Sequence, residues 1–138
     1  MKIFLGAETD SLAGSKWFVI QKEFSPLLRS LINNDYGENL KNISIISILL
    51  SDKYLEDGAY RERKYYSRKE KSADIRLRLD HKKFIRANEM ERREMYFNHI
   101  LLAIRIAGEK AGPKFDLERL LSDVNAVLKK DLKTEDGL

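Results

Sequence analysis

The sequence predicts an α+β domain: a mainly antiparallel four-stranded sheet with helices packed on one face. Three observations carry that expectation. From Asp74 to Asp80, Ile75, Leu77 and Leu79 alternate with Asp74, Arg76, Arg78 and Asp80, a strict period of two that marks a half-buried strand. The run NISIISILLS, from Asn42 to Ser51, is apolar on both faces and rich in β-branched residues, as a central strand is. Three other stretches repeat apolar residues every three or four positions, the period of a helix with one buried face. The elements follow as strand, helix, three strands, helix, helix, and strands gathered in a run favour antiparallel pairing.

Taken in order, Lys2 to Glu8 is a short apolar run that reads as a strand in the sheet interior. Asp10 or Ser11 can cap the helix that follows, with Trp17, Ile20, Phe24, Leu27, Leu28 and Leu31 on its buried face. Pro26 lacks a donor and crowds the preceding turn, so a kink or break is expected there, with Ser25 capping a second segment. Asn33, Asn34 and Gly37 supply the stop. After the isoleucine strand, Asp52 to Gly58 is polar loop. Ala59 to Ser67 is strand-like, and Arg68 to Ser72 connects it to the alternating strand without the Asn-Gly signal of a tight turn. Glu89 to Lys110 then aligns Phe97, Ile100, Leu101, Ile104 and Ala107 on one stripe, and Gly112 with Pro113 ends it. Asp116 caps a last helix whose apolar face is Leu117, Leu120, Leu121, Val124, Val127 and Leu128, before a polar tail from about Lys133.

At 138 residues the chain fits one domain, spanning 1–138, long enough to bury a core without staples. It contains no cysteine, which excludes disulfides, thiol catalysis and cysteine-based zinc sites. The apolar run at the N-terminus is too short for a secretory signal, and the longest elsewhere, Ile100 to Ile104, is far below the roughly 18 residues of a membrane span. A cytoplasmic protein without membrane association is expected.

Charged residues make up 35% of the chain and the net charge is +4, but the charge is unevenly placed. Between Arg61 and Arg86 stand eleven basic and four acidic residues, whereas both flanks are slightly acidic. This basic stretch, together with its tyrosines, is the candidate partner-binding surface: Tyr60, Arg61, Arg63, Lys64, Tyr65, Tyr66, Arg68, Arg76 and Arg78. Arginine brings a planar five-donor fork and tyrosine a large contact area at low entropic cost, and protein interfaces are enriched in both. The same pair suits single-stranded RNA, where aromatic rings stack on bases and cations follow phosphates. The blander alternative is a solvated sheet face whose cations pair with Glu62, Glu70, Asp74 and Asp80.

Catalytic patterns are absent from the sequence. Its two histidines, His81 and His99, lie apart and suit surface or packing roles, and no histidine-centred nucleophile set or metal-ligand spacing is visible. Acids cluster at Asp52, Glu56 and Asp57 and at Glu89, Glu91 and Glu94, in a loop and a helix start where solubility and the helix dipole explain them. Gly6 and Gly14 do not form a phosphate loop. The opening KIFLGAETD is similar to the start of nucleotide-processing enzymes of the deoxyribosyltransferase type, but those build a parallel sheet from repeated βα units, which this order of elements does not supply. No enzyme activity and no cofactor are expected.

Read together, the opening KIFLGAE, the strand NISIISILLSD, the hairpin ERKYYSRKEKSADIRLRLDHKKF and the helical ILLAIRIAGEK resemble the immunity proteins of bacterial polymorphic toxin systems, most closely the immunity protein 44 family. The likeness spans nearly the whole chain, with the hairpin its most distinctive part. It implies a cytosolic protein that binds and occludes a cognate toxin domain, one delivered in contact-dependent inhibition or made by the cell itself; many toxins of this kind are nucleases. It carries over no catalytic residue. Inhibitors of nucleases are commonly acidic, whereas this chain is basic. An acidic toxin surface, a site away from the toxin's cleft, or contact through Asp52, Glu56 and Asp57 would each accommodate that difference.

Overall fold

The computed structural model describes residues 1–8, 13–37, 43–51, 63–67, 71–78, 80–111 and 113–136. Strand β1 (Lys2–Glu8) leads into helix α1 (Ala13–Arg29), and three further strands follow: β2 (Ile45–Ser51), β3 (Arg63–Ser67) and β4 (Ser72–Arg78). The remainder is helical, with α2 (His81–Arg86), α3 (Glu89–Lys110) and α4 (Leu117–Asp136).

The sheet is not mainly antiparallel. Its order is β1-β2-β4-β3, and β1, β2 and β4 run parallel, leaving β3 as the antiparallel strand. Two connections explain the difference. A helix, α1, carries the chain from β1 back to the starting end of the sheet, so β2 must run the same way as β1. From β2 the chain passes to the far edge before forming the β3–β4 hairpin, and β4 folds inward to lie between β3 and β2. Strands that are neighbours in sequence are therefore not all neighbours in space. β1 likewise is an edge strand, not an interior one. Its apolar character reflects one face turned to the core, where Ile3 is buried, and another that leaves Phe4 55% exposed.

Alternation divides the sheet between two faces. Ile3, Ile46, Ile48, Leu50, Ala73, Ile75 and Leu77 are buried in the core, where α1 packs on β1 and α3 on β2 and β4. At the centre of this layer Trp17 stacks on Tyr96 with ring centroids 4.0 Å apart and touches Phe84 at 4.7 Å, while Phe24 meets Tyr96 edge-on at 5.6 Å. Such aromatic pairs add about 1 kcal/mol beyond their burial. Burial pushes the Tyr96 phenol above its ordinary pKa. The α4 face predicted from periodicity is found as expected, with Leu120, Leu121, Val124 and Leu128 buried.

Helix α1 continues without a break through Pro26 to Arg29, and Ser25 begins no second segment. Pro26 stands one turn from the end, where a missing donor costs one bond at most. Tightened bonds then close the helix, from Leu31 N to Leu28 O at 3.1 Å and from Ile32 N to Arg29 O at 3.1 Å. Gly37, with φ 107°, makes the turn beyond, a conformation that side chains disfavour. Asp80 is a helix cap: its carboxylate accepts from Lys83 N at 3.2 Å, and the chain turns helical directly beyond it. Asn88 and Glu91 cap α3 reciprocally, and Asp116 accepts from Arg119 N at 3.2 Å at the start of α4. Gly108 lets α4 approach α3 closely, since a Cβ there would stand 2.4 Å from Leu117 Cδ1.

Candidate functional site

The sheet face turned away from the helices is built in rows set by the register. One row runs Gly6, Leu49, Arg76, Arg63; the next runs Phe4, Ser47, Asp74, Tyr65; a third runs Lys2, Ile45, Ser72, Ser67. Ser51 pairs with Arg78 at the end where the parallel strands finish. Lys2, Phe4 and Asp74 are exposed, while Ile45, Ser47, Leu49, Arg76 and Arg78 are partly buried.

This register separates the residues that the sequence grouped together. Positions Arg63 and Tyr65 share a face with Arg76 and Asp74. Lys64 and Tyr66 stand opposite Ile75 and Ala73, at positions of the helix-covered face. Tyr60, Arg61 and Arg68 lie outside the described residues, as do the acids Asp52, Glu56 and Asp57. Four of the nine candidates thus hold positions on one face: Arg63, Tyr65, Arg76 and Arg78.

Arg78 holds a special position among them. Its Nε is buried and has no hydrogen-bond partner among the described residues, while its carbonyl lies 3.1 Å from His99 Nε2. His99 Nδ1 is 2.6 Å from the Met95 carbonyl, and the ring meets Trp17 edge-on at 6.0 Å. His99 therefore ties the end of β4 to the aromatic core, the packing role expected of it.

Two arrangements escaped the sequence reading. Arg93 forms a two-pronged pair with Glu23, at 3.0 and 3.1 Å, beside a cleft of about 270 Å³ lined by Lys16, Val19, Ile20, Glu89 and Arg92. The Arg92 guanidinium is occupied at the end of α2, donating to the carbonyls of Phe84 and Ile85 at 2.9 and 2.7 Å. The second arrangement centres on Tyr36, whose hydroxyl donates to Asp123 at 2.5 Å and accepts from Asn34 at 3.2 Å. Burial first, and the Asp123 hydrogen bond second, push the Tyr36 phenol up to about 12. Both pairs join residues seventy or more positions apart, so no local pattern announces them.

Among the described residues no group of three or more His, Asp or Glu could hold a metal ion, and no helix is long and apolar enough to cross a membrane. The chain belongs to the immunity protein 44 family, whose model matches residues 1–130. The match takes in every strand, the hairpin and most of α4. Neither the curated proteins nor the solved structures give a match. Family membership implies a protein toxin as the partner. Three strands run parallel, yet among the described residues α1 is the one helix that stands between strands, so the repeated βα units of a nucleotide-processing enzyme are not formed.

Proposed function

We propose that this protein neutralises a cognate bacterial toxin domain in the cytoplasm by stoichiometric occlusion, without chemistry of its own, using the basic end of the helix-free sheet face. The family match over residues 1–130 carries the reading. The choice of surface is supported by the register, which sets Arg63 beside Arg76 with Tyr65 in the adjacent row. Arginines presented from paired strands are held with less freedom than on a loop, so less entropy is lost on binding. A toxin surface carrying carboxylates fits such a face.

The test is co-expression with the toxin domain encoded next to this chain. Growth should be protected, and a one-to-one complex should be recovered whose association slows as salt is added. Replacing Arg76 and Arg78 together by Glu should weaken the complex about 100-fold while the protein stays folded. Absence of both complex and protection would overturn the function, whereas full affinity in the double variant would move the interface elsewhere on the molecule. Tight, salt-steep binding to single-stranded RNA in place of the toxin would favour the nucleic-acid alternative.

A further inference from the structure

We infer that β1 is a self-association edge, through which two copies of this chain pair antiparallel about Leu5 to form one continuous eight-stranded sheet. β1 ends the strand order, so one of its sides faces no strand among the described residues. Lys2 N donates to Ser44 O at 2.9 Å, so the even-numbered residues turn their backbone groups toward β2. Alternation then turns the N–H and C=O groups of Ile3, Leu5 and Ala7 outward. Exposed edges are usually blunted by charge, proline or a bulge, yet between Lys2 and Glu8 this strand reads Ile, Phe, Leu, Gly, Ala.

What selects a second copy as the occupant is the complementarity of the strand with itself. Antiparallel pairing about Leu5 sets Lys2 opposite Glu8 of the other copy, Ile3 opposite Ala7, and Phe4 opposite Gly6. Each charged end meets its opposite, twice by symmetry. The outward-turned residues Ile3, Leu5 and Ala7 fall in the hydrogen-bonded pairs, as the ladder requires. Lys2 with Glu8 and Phe4 with Gly6 fall in the non-bonded pairs, where side chains approach most closely. The Phe4 ring, 55% exposed in the single chain, would lie over a residue without a side chain. Beside it Leu49, whose Cδ1 is 3.2 Å from the position of a Gly6 Cβ, offers an apolar wall. Moving the dyad by one residue in either direction loses the Lys2–Glu8 pairing. Symmetric contacts of this kind close on themselves as a dimer.

Sedimentation equilibrium on the full chain without its toxin tests this. Between about 1 and about 200 μM the mass should rise from 16.1 kDa toward twice that value. K2E should weaken the dimer about tenfold, because it sets two like-charged pairs face to face, and E8K should do the same from the other end of the strand. The double variant K2E/E8K should restore the wild-type constant, and F4A should weaken it with the melting temperature unchanged. A chain that remains at 16.1 kDa throughout overturns the inference. So does a dimer indifferent to both single reversals, or one that the double reversal fails to restore.

Discussion

The two faces of one sheet are made from the same strands and do opposite work. On the helix side, Ile46, Ile48, Leu50, Ile75 and Leu77 are all buried at 2% exposure or less, beneath a stack of Trp17, Tyr96, Phe84 and Phe24. On the other side the same strands present Lys2, Phe4, Ser47, Asp74, Arg76 and Arg78. Burial makes the first face costly to alter, because every removed methylene leaves a cavity. On the second face Lys2, Phe4 and Asp74 are exposed, and substitutions at such water-facing positions change stability little. A partner surface placed at such exposed positions, as proposed above, could change without endangering the fold.

The division can be broken from either side. The largest effect is expected from Trp17→Ala, which empties the centre of the aromatic layer and should cost about 3–5 kcal/mol, read as the shift in a urea midpoint. Toxin protection should fall only in proportion to the unfolded fraction. Next, the Arg76→Glu, Arg78→Glu pair should lose about 2.7 kcal/mol of toxin binding, its hundredfold weakening, by calorimetry. Its thermal midpoint should move by only a few degrees. A double variant that unfolds instead would place these arginines with the core, and the contrast between faces would fail.

A smaller effect is expected at Tyr36. Its phenol is protonated more tightly folded than unfolded, so the stability it contributes is complete below pH 10 and is lost as pH rises toward about 12. Tyr36→Phe should cost about 1 kcal/mol at neutral pH, from the lost hydrogen bond to Asp123, and should flatten that alkaline decline. Tyr96, whose pKa is also raised, contributes to the decline that remains. The smallest change is a gain: Lys71 adopts φ 52° at the hairpin, and Lys71→Gly should raise stability by about 0.5–1 kcal/mol by relieving that left-handed backbone. Toxin affinity should not change with it. Denaturant titrations of both variants at two pH values decide these points.

The helices were legible because their signal is local. Trp17, Ile20, Phe24 and Leu28 on α1, and Leu120, Leu121, Val124 and Leu128 on α4, recur at helical spacing and are buried as that spacing requires. The alternation from Asp74 likewise located β4, and the hairpin to β3 is antiparallel as expected. The candidate site was legible only as a list. Nothing in the spacing of Arg63, Lys64, Tyr65 and Tyr66 says which belong beside Arg76, because a shift of one residue in register exchanges the two faces.

By itself, then, the sequence determined the four strands and the three long helices, though not the short α2, together with where the charge lies and to which family the chain belongs, since periodicity, composition and motif are all read along the chain. Only the tertiary structure decided that β4 lies between β2 and β3, that three strands run parallel, and that β1 is left as an edge. Strand order depends on hydrogen-bond ladders between distant segments, and a ladder satisfies backbone groups that are alike at every residue. The side chains show that a strand will form; the packing of helices against one face selects its neighbour.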